Sequence, residues 1–109
     1  MDSTFNRIIA IAIDEYNDEK ISNLNNCLND VNAIIQILTT RYEIEDIELL
    51  ANKDQTSKSF IHNRIYDLLI NSSHEDNLLL IYAGHGEYNA RLHTSFWLAY
   101  DFIMILHRG

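Results

Sequence analysis

The chain of 109 residues has no proline, only three glycines and a single cysteine. Linkers between domains are usually rich in proline, glycine or serine, so we expect one domain. Neither of the glycine-rich loops that bind nucleotide phosphates, GxGxxG and GxxxxGKS/T, is present, and nothing else in the sequence indicates a cofactor. Because Cys27 has no second cysteine to pair with, a disulfide within the chain is impossible. This favours a reducing compartment, and we expect the cytoplasm.

Positive charge is also scarce. Eight Lys and Arg residues stand against 16 Asp and Glu residues, which gives a formal net charge of −8. Proteins that bind nucleic acids need clustered positive charge to neutralise phosphates, so we expect no nucleic-acid partner. The first residues, MDSTFNR, lack the pattern of a signal peptide, and the apolar run that follows is too short to cross a membrane. We therefore expect no membrane partner either.

The first half of the chain predicts a strand, a helix and a second strand. Residues 8–13 (IIAIAI) are typical of a buried strand. Residues 28–41 predict an amphipathic helix, because their apolar residues recur at helical spacing. Residues 47–50 (IELL) indicate a short second strand. The apolar positions of the helix are Leu28, Val31, Ile34, Ile35 and Leu38.

The second half predicts another helix and a third strand. Thr56 is a predicted N-cap, and the helix that follows it is expected to end near Ile70. Its apolar positions are Ile61, Ile65, Leu68 and Leu69. After a polar loop at 71–77 comes the stretch LLLIYAGHGE, whose apolar run 78–82 predicts a strand buried on both faces that ends in a tight turn at His85. Residues 88–93 are polar, and residues 95–100 (SFWLAY) are apolar and aromatic.

Alternating strands and helices predict an α/β fold with a parallel sheet and right-handed crossovers. In open sheets of this kind, active sites lie at the carboxyl ends of the strands. His85 follows the third strand, and the acidic pair Asp14 and Glu15 follows the first. We therefore expect these residues to mark the functional edge of the sheet.

The histidine between two glycines is open to several interpretations. Gly84 and Gly86 permit unusual backbone angles and leave His85 exposed, which fits either a simple turn or a catalytic site. A metal site formed by His85, Glu87 and His93 has a spacing that matches no strong ligand pattern. A cysteine–histidine hydrolase explains both glycines: His85 would activate a thiol, and the amide of Gly86 would face the developing oxyanion.

Four stretches together resemble the caspase-like clan of cysteine peptidases, most closely the metacaspase-type and bacterial caspase-like domains. RIIAIAIDEY resembles the first strand and its acidic exit, and LNNCLNDVNAIIQIL resembles the start of the first helix. DNLLLIYAGHGE resembles the strand that ends in the catalytic histidine, and SFWLAYD resembles the segment after it. The resemblance covers residues 5–101 and implies part of a three-layer caspase-like fold. Residues 102–109 (FIMILHRG) do not resemble the family and are expected to form an atypical tail.

The resemblance also implies roles for individual residues. His85 matches the catalytic histidine, and Gly86 matches the residue that supplies one oxyanion amide. Cys27 and Asp30 match positions that line the first specificity pocket of metacaspases that cleave after Arg or Lys. Ala83 stands where those metacaspases usually have serine, which puts basic specificity in doubt. Without the resemblance, Asp30 is equally well explained as a first-turn helix carboxylate, and Cys27 as a small buried residue.

The nucleophile of the family is a cysteine at the end of the strand after the histidine strand, but no cysteine follows Cys27. We therefore expect the fold to be truncated after about its third or fourth strand, with an apolar strand edge left open. One hypothesis is a cysteine endopeptidase that acts on peptides or proteins and needs a cysteine-bearing segment or subunit. The other is an inactive fragment that serves as an interaction module.

Overall fold

The computed structural model describes residues 6–102. Five strands, two α-helices and one short 3₁₀ helix follow each other in this part of the chain. They are β1 (Asn6–Ala12), α1 (Cys27–Arg41), β2 (Asp46–Leu50), the 3₁₀ helix (Lys53–Gln55), α2 (Lys58–Ile70), β3 (Asn77–Ala83), β4 (Gly86–Asn89) and β5 (Thr94–Trp97). The first three strands form a parallel sheet in the order β2-β1-β3, and β4 pairs with β5 as an antiparallel hairpin.

The central strand β1 is buried by a helix on each side. Its residues Ile9 and Ile11 pack in a cluster with α2, whereas Ile8, Ala10 and Ala12 pack in a cluster with α1. Alternate side chains of a strand point to opposite faces, so the two helices cover opposite faces of the sheet. The predicted three-layer α/β architecture is confirmed.

The connections between the parallel strands share one hand. The chain passes from β1 through α1 to β2 on one side, and then through α2 to β3 on the other side of β1. The first connection moves across the sheet in one direction with α1 on one face, and the second moves in the opposite direction with α2 on the other face. Both crossovers therefore have the same hand, as right-handed βαβ units require.

Three details of the predicted helices were wrong. Leu69 was placed on the apolar face of α2, but it is 59% exposed. Ile34 was placed on the apolar face of α1, but it is 43% exposed, while Val31 one turn earlier is fully buried. The N-cap of α2 is Ser57, whose Oγ accepts the N–H of Phe60, rather than Thr56. Thr56 is buried, and its hydroxyl donates to the carbonyl of Asn52. Within the described residues, the fold thus uses Thr56 to close the 3₁₀ turn before the helix.

The prediction that the third strand is buried on both faces was also wrong. Within residues 6–102, β3 pairs only with β1, and its other edge is open. Leu79 is 45% exposed and Leu80 38% exposed. The expected open apolar edge is therefore present in the described part of the chain.

The GHGE segment does not continue β3. That strand ends at Ala83, and Gly86 begins the β4–β5 hairpin, which the sequence did not predict. All eight strand residues of the hairpin are exposed, and His93 has a positive φ of 50° near its turn. Leu98, just after the hairpin, is buried in the cluster that contains α2, so it attaches the hairpin to the sheet.

No helix between residues 6 and 102 has the length and apolar character to cross a membrane. The predicted tail at 102–109 lies outside the described residues, apart from Phe102.

Candidate functional site

The candidate site lies at the carboxyl ends of β1 and β3. These two strands are neighbours in the sheet and run parallel, so the loops that follow them lie at the same edge, where open α/β sheets bind ligands. The sheet pairing extends here, because the N–H of Ile13 donates to the carbonyl of Ala83 at 2.9 Å. The loop after β1 then crosses toward the end of β3, and it brings Tyr16 and Ser22 to His85.

The backbone of His85 is anchored at both of its polar groups. Its N–H donates to the hydroxyl of Tyr16 at 2.7 Å. Its carbonyl accepts the hydroxyl of Tyr82 at 2.7 Å and the N–H of Leu98 at 3.0 Å. Three different segments therefore position this residue: the loop after β1, the strand β3 and the segment after β5.

The ring of His85 is oriented by a backbone carbonyl. Its Nε2 lies 2.7 Å from the carbonyl oxygen of Ser22. A carbonyl can only accept a hydrogen bond, so Nε2 carries the proton in the neutral ring, and Nδ1 is left as the basic nitrogen. The imidazole also contacts the ring of Tyr16, with 5.0 Å between centroids and a tilt of 53°. The partly exposed ring can thus accept a proton at Nδ1 while Nε2 keeps its position.

The two glycines next to His85 do not use the unusual backbone angles that the sequence suggested. Neither has a positive φ, so unusual backbone angles do not explain them. A Cβ on Gly84 would lie 2.6 Å from the hydroxyl oxygen of Tyr82 and 2.8 Å from that of Tyr16. A Cβ on Gly86 would make an ordinary contact of 3.4 Å with the carbonyl of Phe96. Space, rather than conformation, therefore requires glycine at position 84.

The amide of Gly86 points away from the hairpin. The peptide between His85 and Gly86 is trans, and its carbonyl oxygen faces Leu98 and Tyr82. In a trans peptide the N–H lies opposite the C=O, so the N–H of Gly86 faces the other side. The N–H of Gly86 therefore faces away from β5.

Cys27 lies at the start of α1 against Asp14. One carboxylate oxygen of Asp14 accepts the N–H of Cys27 at 2.9 Å, and the other accepts the N–H of Leu28 at 3.3 Å. Burial would raise the pKa of Asp14, but these bonds and one from the thiol outweigh it and lower the pKa below 3.8. Burial first, and then the Asp14 carboxylate, raise the pKa of Cys27 to about 11. The thiol is therefore protonated at neutral pH and is a poor nucleophile.

The three predicted pocket residues are only partly brought together. Cys27 is buried, and Ala83 packs against the cluster that contains it. Asp30 is exposed in the first turn of α1, where a carboxylate also interacts favourably with the helix dipole. Asp30 acts on the thiol of Cys27 through its charge.

A comparison with protein families matches almost the whole described part of the chain. The model of the metacaspase peptidase C14 domain matches residues 6–104, which includes both strand ends of the site. The chain belongs to the metacaspase family of C14 peptidase domains. No curated protein matches the chain. The predicted caspase-like family is confirmed. Its members are peptidases, which are hydrolases.

The candidate site contains residues that the sequence prediction missed. Ser22 takes part through its backbone carbonyl, which gives no side-chain signal. Tyr16 and Tyr82 were visible only as members of the first and third predicted strand stretches. Within the described part of the chain, no three His, Cys, Asp or Glu side chains are grouped so that they could hold a metal ion. The set His85, Glu87 and His93, which the sequence left open as a metal site, does not form such a group.

Proposed function

We propose that this metacaspase domain supplies the histidine of a cysteine-type endopeptidase, and that the nucleophilic cysteine comes from a segment outside these 109 residues. The observation that carries the proposal is the bond between Nε2 of His85 and the carbonyl of Ser22. It leaves Nδ1 as the base at the carboxyl end of β3, where a ligand of an open α/β sheet would bind.

In the proposed reaction, each step uses a group at this end of the sheet or on the incoming segment. His85 takes the proton of the incoming thiol at Nδ1, and the thiolate attacks the carbonyl carbon of the scissile peptide bond. The N–H of Gly86 stabilises the negative charge that develops on the carbonyl oxygen. The protonated His85 then gives its proton to the leaving amine. Water hydrolyses the thioester by the same steps and restores the thiol.

The cysteine has a natural place beside the open edge of β3. A parallel strand that pairs with this edge would end on the same side of the sheet as β3, next to His85. Such a strand would also cover Leu79 and Leu80, which are exposed in the described chain. Cys27 does not fill this role, because its thiol is buried, has a pKa of about 11 and belongs to the α1 layer.

The first test mixes the full chain with a cysteine-bearing metacaspase segment and follows cleavage of fluorogenic peptides. The chain alone should be inactive. His85→Ala should abolish the cleavage that the mixture produces, because no base remains to activate the thiol. His74→Ala, which removes an exposed loop histidine, is the matched control and should retain activity. Full activity of the His85→Ala mixture would refute the assignment of His85.

We further propose that the substrate is a peptide or protein cleaved after Arg or Lys in the cytoplasm, with the Asp30 carboxylate pairing with the substrate cation. Cys27 and Ala83 would form the apolar wall of that pocket. Asp30→Ala should lower kcat/KM for Arg and Lys substrates much more than for neutral ones. Asp54→Ala removes another exposed first-turn carboxylate and should leave the profile unchanged. An unaltered profile in Asp30→Ala would remove Asp30 from the pocket.

The open edge of β3 also favours a second candidate, a non-catalytic module that binds a protein strand there. Both candidates predict binding at this edge. They differ in the His85→Ala variant. A peptidase would lose cleavage, whereas a binding module would keep its affinity for the added strand.

A further inference from the structure

Two tyrosine hydroxyls meet at the backbone of His85, and the proposed reaction uses neither of them. Tyr16 is buried, and Tyr82 is partly buried in the same apolar cluster on the α2 side of the sheet. The hydroxyl of Tyr16 accepts the N–H of His85, and that of Tyr82 donates to its carbonyl, both at 2.7 Å. Both hydroxyl oxygens lie beside the position that a Cβ on Gly84 would occupy. The N–H and the C=O of His85 are thus each held by a tyrosine hydroxyl.

The alternative partner of Tyr82 does not change this arrangement. Its hydroxyl lies 3.1 Å from the carbonyl of Leu98, but a hydroxyl has only one proton, and the carbonyl of His85 is nearer. The ring of Tyr82 is held from its other side by Trp97, which stacks on it with 4.4 Å between centroids and 1° between planes. Burial raises the pKa of both tyrosines, so both hydroxyls remain neutral donors and acceptors.

Gly84 is adapted to the same pair. A methyl group at this position would lie within 3 Å of both hydroxyl oxygens, a separation that a Cβ almost never has. The first glycine of the GHG motif is therefore the residue that lets two hydroxyls approach the strand end together.

We propose that Tyr16 and Tyr82 are positioning residues for His85: their hydroxyls hold its backbone from both sides so that the ring reaches Ser22, and Gly84 provides the space for them. An effect of this tyrosine pair on catalysis rests on the proposed peptidase function. The positioning of His85 by the two hydroxyls does not depend on that function.

The test uses the full chain labelled for NMR, with the variants Tyr16→Phe and Tyr82→Phe. Each variant removes one oxygen and keeps the ring. In the unchanged chain, the three-bond couplings of His85 should report a single χ1 rotamer. In Tyr16→Phe, those couplings should move toward rotamer averaging. The exchange of the His85 amide should also become roughly fivefold faster, the change expected for the loss of one net hydrogen bond. Tyr66→Phe, at a side chain that is 64% exposed, is the control and should change neither.

A second measurement keeps the proposal testable if a variant unfolds. Gly84→Ala should lower the Tm, and it should lower it less in a Tyr16→Phe background, because one of the colliding oxygens is gone. Unchanged couplings and amide exchange in both tyrosine variants would overturn the proposal. Strictly additive Tm losses would overturn the explanation of Gly84.

These outcomes are separate from the test of the peptidase function. The couplings, the amide exchange and the Tm values need no catalysis, so they test the positioning of His85 on the chain alone. In the mixture with a cysteine-bearing segment, Tyr16→Phe should lower kcat with little change in KM, since the hydroxyl does not touch the substrate. If His85→Ala left cleavage intact while the NMR changes were observed, the peptidase proposal would fail and the positioning of His85 would remain.

Discussion

Replacing Asp14 by Ala should destabilise the domain by about 1–2 kcal/mol. Asp14 accepts the N–H groups of Cys27 and Leu28 at the start of α1, and the N-cap residue Asn26 makes no side-chain cap of its own. Loss of a helix cap typically costs about 1 kcal/mol, and loss of a carboxylate from a helix N-terminus costs about 0.3–1 kcal/mol more. For a domain of this size, the Tm should fall by about 5–15 °C.

The pH dependence gives this prediction a second, independent test. The folded state lowers the pKa of Asp14 below 3.8, so the carboxylate contributes its stability above that pH. The contribution is lost as the pH falls through the folded pKa. The difference in free energy of unfolding between the unchanged chain and Asp14→Ala should therefore be full at neutral pH. It should shrink below about pH 3.8.

Cys27 provides a third readout of the same change. Burial is the larger cause of its raised pKa, and Asp14 is the next. In Asp14→Ala the thiol pKa should fall below its value of about 11 but stay above normal, as ultraviolet titration of the thiolate would show. Glu15→Ala removes an exposed carboxylate of the same loop and is the matched control. Equal Tm and equal thiol titration in Asp14→Ala and Glu15→Ala would refute the capping role.

Two further predictions concern α2 and the open edge. Glu48 on β2 holds Arg64 on α2 through two hydrogen bonds, so Glu48→Gln should cost about 0.5 kcal/mol of unfolding free energy at low salt and less at high salt. Asp67→Asn, which loses only a 3.5 Å contact to the same arginine, should cost less, and a salt-independent loss in Glu48→Gln would contradict the ionic explanation. At the β3 edge, Leu80→Lys should reduce self-association of the isolated chain in sedimentation experiments, because lysine blocks edge pairing, whereas Leu69→Lys on α2 should not. Equal effects of the two lysine variants would show that the edge is not the site of association.

The layered fold was predictable because its signals are local. The stretch from Ile8 to Ile13, which contains most of β1, is apolar at every position. Such a run is typical of a strand covered on both faces, and the structure places a helix on each face. His85 was placed at a strand end by the same reasoning. The hairpin was missed because no residue of its strands is buried, so neither GEYN nor TSFW shows the alternation of apolar and polar residues that marks a half-buried strand. A weaker signal was present at its turn, where the side chain of Asn89 accepts the N–H groups of Arg91 and Leu92.

The remaining site features depend on contacts between distant parts of the chain. The requirement for Gly84 comes from the hydroxyl of Tyr16, 68 positions away in sequence, and from that of Tyr82. The partner of the His85 ring is a backbone carbonyl, which any residue at position 22 would supply. Such contacts become visible only when the loop after β1 has been placed against the end of β3, so no pattern in one stretch predicts them.

The wrong prediction for β3 bears on the proposal that a further strand pairs with its open edge. Its residues 78–82 are apolar without alternation, which suits a strand with sheet neighbours on both sides and helices on both faces. In the described chain it has one strand neighbour, and Leu79 and Leu80 remain exposed. Strand β2, whose outer edge is also open, begins with the charged and exposed Asp46 and alternates Glu48 with apolar residues. An edge strand is normally protected by charge in this way. Since β2 has the composition of an edge and β3 does not, the next strand should add to β3, beside the ring of His85.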